Sequence, residues 1–490
     1  MAQRQHILWF GSPPSPASQR EIVNRNCLLR DGDSTVPATT IRDARAAVVA
    51  FDDANEDAML ALVAREAARL VDYGLRVDLI ALDDAAAGRI QARLDTVVTM
   101  PGIKLHTAPQ AAALAEAIAR HDAGAAPRLD LRIVVPDHRE GLRQADRPLF
   151  ERAFARCSEI TLVELGGGRS EARVFAVHMT IERSNIGAWP QPAFVKLDRR
   201  DKIAVEHGNY RNYAERFIPF GLRPNIETMI VGSEHSLLVG NFVDRSESLW
   251  DLARRNVAGE AITALLEETL GGWRDQGYAR DPERGAVAAA MRTAGLWDPD
   301  RIQAYYVQCA ADAGIKATPQ TMWQVLSGLD QQYRTAPIHG DLHGENVRVR
   351  GRSAILIDLA SVCIAPLTAD LAALETWLAF ELPPEADKQR FEDPEWAATI
   401  ERLYRPEAFR HPPGPCRPAT RHAWIETVVR QIRTLGIAIQ SCPSEYQTAV
   451  AVQLLRRCQW ADCCAGDRGR RALGYRIAAG IVETVKEATA

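Results

Sequence analysis

The stretch that most constrains this chain is Ile338-His339-Gly340-Asp341-Leu342-His343-Gly344-Glu345-Asn346-Val347, followed by the apolar run Ala354-Ile355-Leu356-Ile357 that ends in Asp358. Small residues let the backbone turn tightly between two apolar segments, so a loop flanked by strands is expected here. That loop gathers Asp341, Asn346 and Asp358 within a short length of chain. Phosphoryl transfer needs such a set. One carboxylate orients the acceptor and takes its proton, while an amide oxygen and a second carboxylate hold the Mg²⁺ that offsets phosphate charge.

The Asp-to-Asn spacing is that of the protein-kinase pattern H-R-D-x-x-x-x-N. More closely, the block resembles the catalytic loop of aminoglycoside phosphotransferases, choline kinases and fructosamine kinases, written H-G-D-x-H-x-x-N. The later segment Pro366–Glu375 is similar to the Asp-Leu-Ala segment of the same families. More narrowly, residues 159–490 resemble the ternary complex associated kinase-like domain of bacterial multi-component conflict systems. The resemblance implies a two-lobed α+β protein-kinase-like fold and the use of ATP and Mg²⁺. It makes Asp341 the base, Asn346 and Asp358 the magnesium ligands, and His343 a structural part of the loop. Two departures stand out. Glu345 occupies a position that is usually small or neutral, so it either alters metal affinity or faces solvent. Asp358 is followed by Leu359-Ala360 rather than Phe-Gly, which argues against an ordinary protein-kinase switch at this point.

The upstream elements of such a fold are legible. Ile160–Leu165 and Arg173–Val177 read as strands around the turn Gly166-Gly167-Gly168-Arg169-Ser170, whose backbone N–H groups would close over phosphates. In the next strand, Ala193–Leu197, Lys196 matches the lysine of V-A-I-K and would reach the α/β-phosphates. Its acidic partner is Glu206 or Glu215; nine residues apart on one helix, they face nearly opposite ways. Glu206 is preferred because it stands beside Ile203 and Val205. Leu237–Val243 reads as the last strand and hinge, with Asn241, Phe242 and Val243 meeting adenine. Leu249–Leu252 then opens a helical lobe in which Trp424–Leu435 and Ala449–Leu455 are packing helices.

Residues 1–125 alternate strand and helix signals, the pattern of a parallel sheet with helices on both faces. Their order resembles a response-regulator receiver domain, with Asp52 at the end of the third strand. The ligands a receiver needs are missing. The first strand ends in Gly11-Ser12 where acids are expected, and the fifth runs into Thr107-Ala108-Pro109 without a lysine. One carboxylate cannot hold a cation that wants six oxygens, so a degenerate docking module is expected. The resulting division is a receiver-like α/β domain at 1–125, a connector at 126–158, a kinase-like N-lobe at 159–243 and a mainly helical C-lobe at 244–490.

A length of 490 residues implies two or three domains, and 47% hydrophobic with 25% charged residues is an ordinary globular balance. The net charge of −4, without a Lys/Arg-rich run, gives no nucleic-acid footprint. No apolar run is long enough to span a membrane. Ile7–Phe10 is too short for a signal-peptide core, so a cytoplasmic protein is expected. The nine cysteines include no C-x-x-C pair; Cys458, Cys463 and Cys464 read as reduced thiols rather than a zinc site.

The leading expectation is an active kinase acting on a hydroxyl or amine of a small molecule or protein, within a bacterial signalling or defence system, with a protein partner met through the N-terminal domain. The alternative from another class is a nucleotide-binding pseudokinase scaffold regulated through that domain. An aminoglycoside-modifying enzyme would need an acidic acceptor cleft, to which Glu375, Glu381 and Glu385 could contribute.

Overall fold

The computed structural model describes residues 5–32, 36–136, 141–165, 171–181, 192–241, 243–381, 393–410, 420–461 and 465–489. The chain divides into two compact units, residues 1–207 with 225–244, and residues 208–224 with 245–490. No helix among the described residues is long and apolar enough to cross a membrane.

The first unit holds two sheets. In the first, β1 (His6–Gly11), β2 (Leu28–Asp31), β3 (Ala44–Ala50), β4 (Arg76–Ala81) and β5 (Ile103–Thr107) lie in the order β2-β1-β3-β4-β5. Every pairing is parallel. β3, Ala-Arg-Ala-Ala-Val-Val-Ala, is covered on both faces, as a continuous apolar run in a parallel sheet demands. Helices α3 (Glu56–Asp72) and α4 (Asp84–Leu94) pack on one face with α2 (Ala38–Asp43). Helices α1 (Pro16–Val23) and α5 (Ala111–Arg120) cover the other. The sequence gives no apolar alternation at β2 because this edge strand is largely exposed.

The second sheet runs β10-β11-β9-β8-β7-β6. Its strands are β6 (Arg132–Val134), β7 (Cys157–Glu164), β8 (Arg173–Ile181), β9 (Ala193–Arg199), β10 (Ile226–Val231) and β11 (His235–Asn241). β6 is parallel to β7 and the remaining pairs are antiparallel. Phe175, Val177, Val195, Leu197, Leu237 and Val239 point to one face, where Leu149, Phe150 and Phe154 of α6 (Arg147–Ala153) and the turn after it fill the core. Residues 126–158 are therefore more than a connector. Short and charge-rich as they are, they supply an edge strand and the helix that closes this core.

The two sheets keep separate apolar cores and meet through polar contacts. Arg152 Nη1 donates to the carbonyls of Asp72 and Val231, both at 2.9 Å. Asp72 accepts from the Ser233 N–H at 2.7 Å and the Ser233 hydroxyl at 3.2 Å.

At the carboxyl ends of β1 and β3, Asp52 accepts from the Ser12 hydroxyl and from the N–H groups of Ala54 and Asn55. The Ser12 hydroxyl and these N–H groups hold its carboxyl below the usual carboxylate range. Among the described residues Asp52 belongs to no group of three metal-type ligands.

The second unit is mainly helical. α7 (Arg200–Asn209) passes into it from the first unit and continues through a π-helical turn, Tyr210–Ala214, to α8 (Glu215–Phe217). The strand β12 (Glu247–Ser248) leads into α9 (Leu249–Arg254), then α10 (Gly259–Ala264), α11 (Gly271–Tyr278), α12 (Val287–Thr293), α13 (Ala304–Asp312) and α14 (Pro319–Ser327). Thr318 and Thr321 form a reciprocal cap that starts α14. β13 (Glu283–Gly285) pairs with β14 (Gln331–Tyr333). β15 (Thr335–Ile338) pairs with β18 (Cys363–Pro366), and β16 (Val347–Arg350) forms a hairpin with β17 (Ser353–Leu356). Helices α15 (Thr368–Phe380), α16 (Pro394–Leu403), α17 (Ala423–Ile439), α18 (Glu445–Arg457) and α19 (Ala465–Thr489) complete it. Cys458 is buried after α18, its thiol donating to the Leu454 and Arg471 carbonyls, while Cys463 and Cys464 lie outside the described residues.

Candidate active site

One carboxylate, a glycine and a histidine fix the loop that leaves β15. Asp370, buried in the first turn of α15, accepts the N–H of His339 at 2.6 Å and of Gly340 at 3.0 Å. Its burial raises its pKa, against the pull of those N–H groups and of Arg456. Gly340 sits at φ +76°, and a Cβ there would lie 2.2 Å from the Ser361 carbonyl, so only glycine fits. His339 is wholly buried with Nε2 2.9 Å from the Ile357 carbonyl. A carbonyl only accepts, so Nε2 carries the proton and Nδ1 faces the Asp341 N–H at 3.4 Å.

Onto this frame the chain hangs the three residues expected from the sequence. Asp341 projects a carboxylate that is 52% exposed. The side-chain amide of Asn346 donates to the Asp341 carbonyl at 3.0 Å, which leaves its oxygen turned elsewhere. The Asn346 carbonyl accepts from the Ile357 N–H at 3.0 Å, tying the loop to the end of β17. Asp358 is exposed and left-handed, with φ +59°, a conformation that costs a non-glycine residue energy and clusters at functional sites. His343 stacks on Trp377 with ring centres 5.2 Å apart and accepts the Glu345 N–H at Nδ1, a packing role. Glu345 is exposed, one of the two readings its sequence position allowed. Its carboxyl lies against the start of α9, hydrogen-bonded to Ser248, where desolvation and Asp251 push its pKa up.

Arg456 on α18 was not singled out by sequence reasoning. Its Nη1 donates to the Gly340 carbonyl at 2.8 Å and its Nη2 stands 3.4 Å from Asp341 Oδ1. Conversely, the acids expected to line an acceptor cleft are used internally. Glu375 is fully buried against Arg433 at 2.6 Å and accepts from Tyr446 at 2.8 Å. Glu381 pairs with Arg457 at 3.0 Å and Arg470 at 3.5 Å. Glu385 lies outside the described residues.

In the first unit, Lys196 Nζ meets Glu206 Oε2 at 2.7 Å, both side chains buried. Glu215 pairs instead with Arg211 at 3.9 Å. The useful neighbour of Glu206 is Ile203, one turn back and fully buried; Val205 is exposed. Past Gly208, which has open space around it, Asn209 donates to the carbonyls of Leu359 and Ala360 at 3.0 and 3.2 Å, directly after Asp358. The Asn241 N–H donates to the Asn225 carbonyl at 3.0 Å. Gly166, Gly167, Gly168, Arg169, Ser170 and Phe242 lie outside the described residues, and Val243 is described.

No curated protein matches the chain by sequence. Among solved structures, an amicoumacin kinase in complex with AMP-PNP, Ca²⁺ and Ami aligns at 13% identity and TM-score 0.34 over 67% of this chain and 88% of that one. An aminoglycoside-3'-phosphotransferase of type VIII aligns at 17% and 0.30 over 56% and 93%. A glucosamine kinase in complex with glucosamine, ADP and inorganic phosphate aligns at 13% and 0.34 over 67% and 82%. These likenesses are loose. The family comparison is local: residues 263–407 match the phosphotransferase enzyme family, APH, and that span contains Asp341, Asn346, Asp358 and Asp370. Over residues 263–407, less than a third of its length, the chain is similar to the phosphotransferase enzyme family.

Proposed function

We propose that the chain transfers the γ-phosphoryl group of ATP to a hydroxyl or amine of a small-molecule acceptor. The carrying observation is the loop of Asp341, Asn346 and Asp358, locked from behind by Asp370 while the Asp341 carboxylate stays half exposed. Asp341 takes the acceptor proton and directs the nucleophile. The Asn346 amide oxygen and the Asp358 carboxylate are hard donors of the kind Mg²⁺ prefers, and the bound ion would offset charge on the phosphates. Lys196, oriented by Glu206, holds the nucleotide phosphates together with the turn at Gly166, Gly167, Gly168, Arg169 and Ser170. Asn241, Phe242 and Val243 border the adenine.

Arg456 beside Asp341 and the internal use of Glu375 and Glu381 support a neutral or anionic acceptor over a polycation. The strand order β2-β1-β3-β4-β5 supports reading residues 1–125 as a degenerate receiver-like module that docks or regulates. That module is what favours the second reading, a nucleotide-binding scaffold.

The test is ATP turnover with Mg²⁺ across a panel of acceptors, the protein itself included, for wild type and Asp341→Ala. Transfer lost with ATP affinity retained supports the assignment. Equal loss of both refutes the role of Asp341, and tight ATP binding with no transfer to any acceptor favours the scaffold.

A further inference from the structure

Residues paired across neighbouring strands share a face of the sheet. Lys196 is paired with Val174 and Leu238, so the nucleotide face carries those three. Ala193, Met179 and Ile181 on neighbouring strands, with Val239 and Thr228, belong to the opposite face. On that opposite face the first unit holds a cleft of about 900 Å³, floored by those residues and walled by Arg152 and the turn after α6 on one side and by Gly74, Gly102 and His121 on the other. The volume is that of a small-molecule site.

The buried polar group in its wall is Arg152, only 9% exposed. Among the described residues it makes no ion pair, and of its three nitrogens only Nη1 donates, to the Asp72 and Val231 carbonyls; Nε has no acceptor. The nearest acid, Asp72, spends its carboxylate on Ser233. Burial accordingly pulls the arginine pKa down to about 10. Gly74, at φ +86°, is what lets the backbone lie against the guanidinium, since a Cβ there would stand 2.9 Å from both Cζ and Nη2. Other charges line the cleft, Arg156 against Asp122 and Glu227, but all three are exposed and therefore screened. The buried cation decides the sign of the site: it has two carbonyl acceptors and the field of Asp72 but no ion pair, and burial outweighs them, so a ligand anion gains more there than beside an exposed charge. The floor is apolar.

We propose that this cleft, on the face of the sheet opposite Lys196 and reaching Asn241 at one end, is a second ligand site that takes a small molecule with a carboxylate or phosphate group on an apolar body and uses Arg152 as its counter-charge. Because one wall comes from residues 1–125 and the floor from the second sheet, such a ligand would bind the two sheets to each other and act as an effector. The inference does not rest on the proposed transfer reaction.

The test uses the full chain saturated with ADP, so that the nucleotide face is occupied, and isothermal titration with 2-naphthoate, 2-naphthyl phosphate and the uncharged 2-naphthalenemethanol. At least one of the two anions should bind one per chain, tenfold or more tighter than the alcohol, and raise the Tm; whichever binds better identifies the anionic group. Arg152→Gln should weaken that anion at least tenfold. Because Arg152 also bridges two carbonyls, Thr228→Trp serves as the second variant. It fills the cleft from an exposed strand position and should abolish anion binding while ADP affinity stays within twofold. Equal affinity for alcohol and anions, no saturable anion binding at millimolar concentration, or binding that survives Thr228→Trp would each overturn the proposal.

Discussion

Asp370→Asn isolates the connection between a buried carboxylate and the loop it holds. The carboxylate accepts two consecutive backbone N–H groups, at 2.6 and 3.0 Å, without access to water. Hydrogen bonds to a charged group are each worth ~1.5–3 kcal/mol. The amide keeps one acceptor oxygen, loses the charge, and turns an NH₂ toward one of the two N–H donors. A loss of about 2–4 kcal/mol follows, local to the segment that places Asp341. If half of it or more appears in the transition state, kcat falls by roughly 5- to 30-fold or beyond, since ~1.4 kcal/mol is a factor of ten. The assay is initial-rate transfer to the best acceptor, with ATP affinity by titration and the Tm recorded beside it. A large drop in kcat, an ATP Kd within about threefold of wild type and a lowered Tm are expected. A lowered Tm with kcat unchanged would make Asp370 a stabilising residue only. No change in either would refute the reasoning.

Asn346→Ala and Asp358→Ala should each weaken Mg²⁺-dependent ATP binding, with partial recovery at raised Mg²⁺; wild-type ATP affinity unaffected by EDTA would refute the ligand assignment. Glu445, hydrogen-bonded to Thr368 and Ser441, is raised by burial to about 7. A carboxyl raised above its unfolded value contributes stability that is present below about 4.5 and lost as pH rises through 7. Glu445→Gln should remove that dependence, so the stability of wild type relative to the variant should decline by ~3 kcal/mol between pH 4.5 and 7.5, measured by denaturant midpoints; a flat difference refutes it. A shortened chain of residues 126–490 should still bind ATP but unfold at lower temperature, because Arg152 and Ser233 lose Asp72. Asp52 should take no label from acetyl phosphate, and labelling that vanishes in Asp52→Asn would sink the degenerate-receiver reading.

The motif residues were legible because chemistry ties them to short spacing: Asp341, Asn346 and Asp358 share one loop, and Lys196 lies in a strand of recognisable pattern. Between Glu206 and Glu215 the helical period left one position facing Lys196, although the buried neighbour that marks Glu206 is Ile203 at three residues, not the adjacent Val205. What escaped sequence reading depends on distant chain. Arg456 lies 115 residues from Asp341 and reads as a solvated charge near the end of a helix. Glu375 looks like an available acid until Arg433, 58 residues on, is folded against it. β2 carries no apolar alternation because it is an exposed edge; the strand at Leu131–Val135 and the helical stretch through Phe154 were legible as elements, but not their place at a sheet edge and over its core, which depends on distant strands.

Helix α7 has a mechanical consequence. It carries Glu206, the partner of Lys196, and Asn209, which grips the backbone after Asp358, with Gly208 between them and a π-helical turn directly beyond. Glycine in a helix costs ~0.5–1 kcal/mol relative to alanine and leaves the rod easier to bend. No atom lies within 4 Å of where a side chain at 208 would begin, so alanine would fit without displacing anything. Residue 208 is therefore the point of α7 where a side chain could be added to stiffen the helix that carries both Glu206 and Asn209.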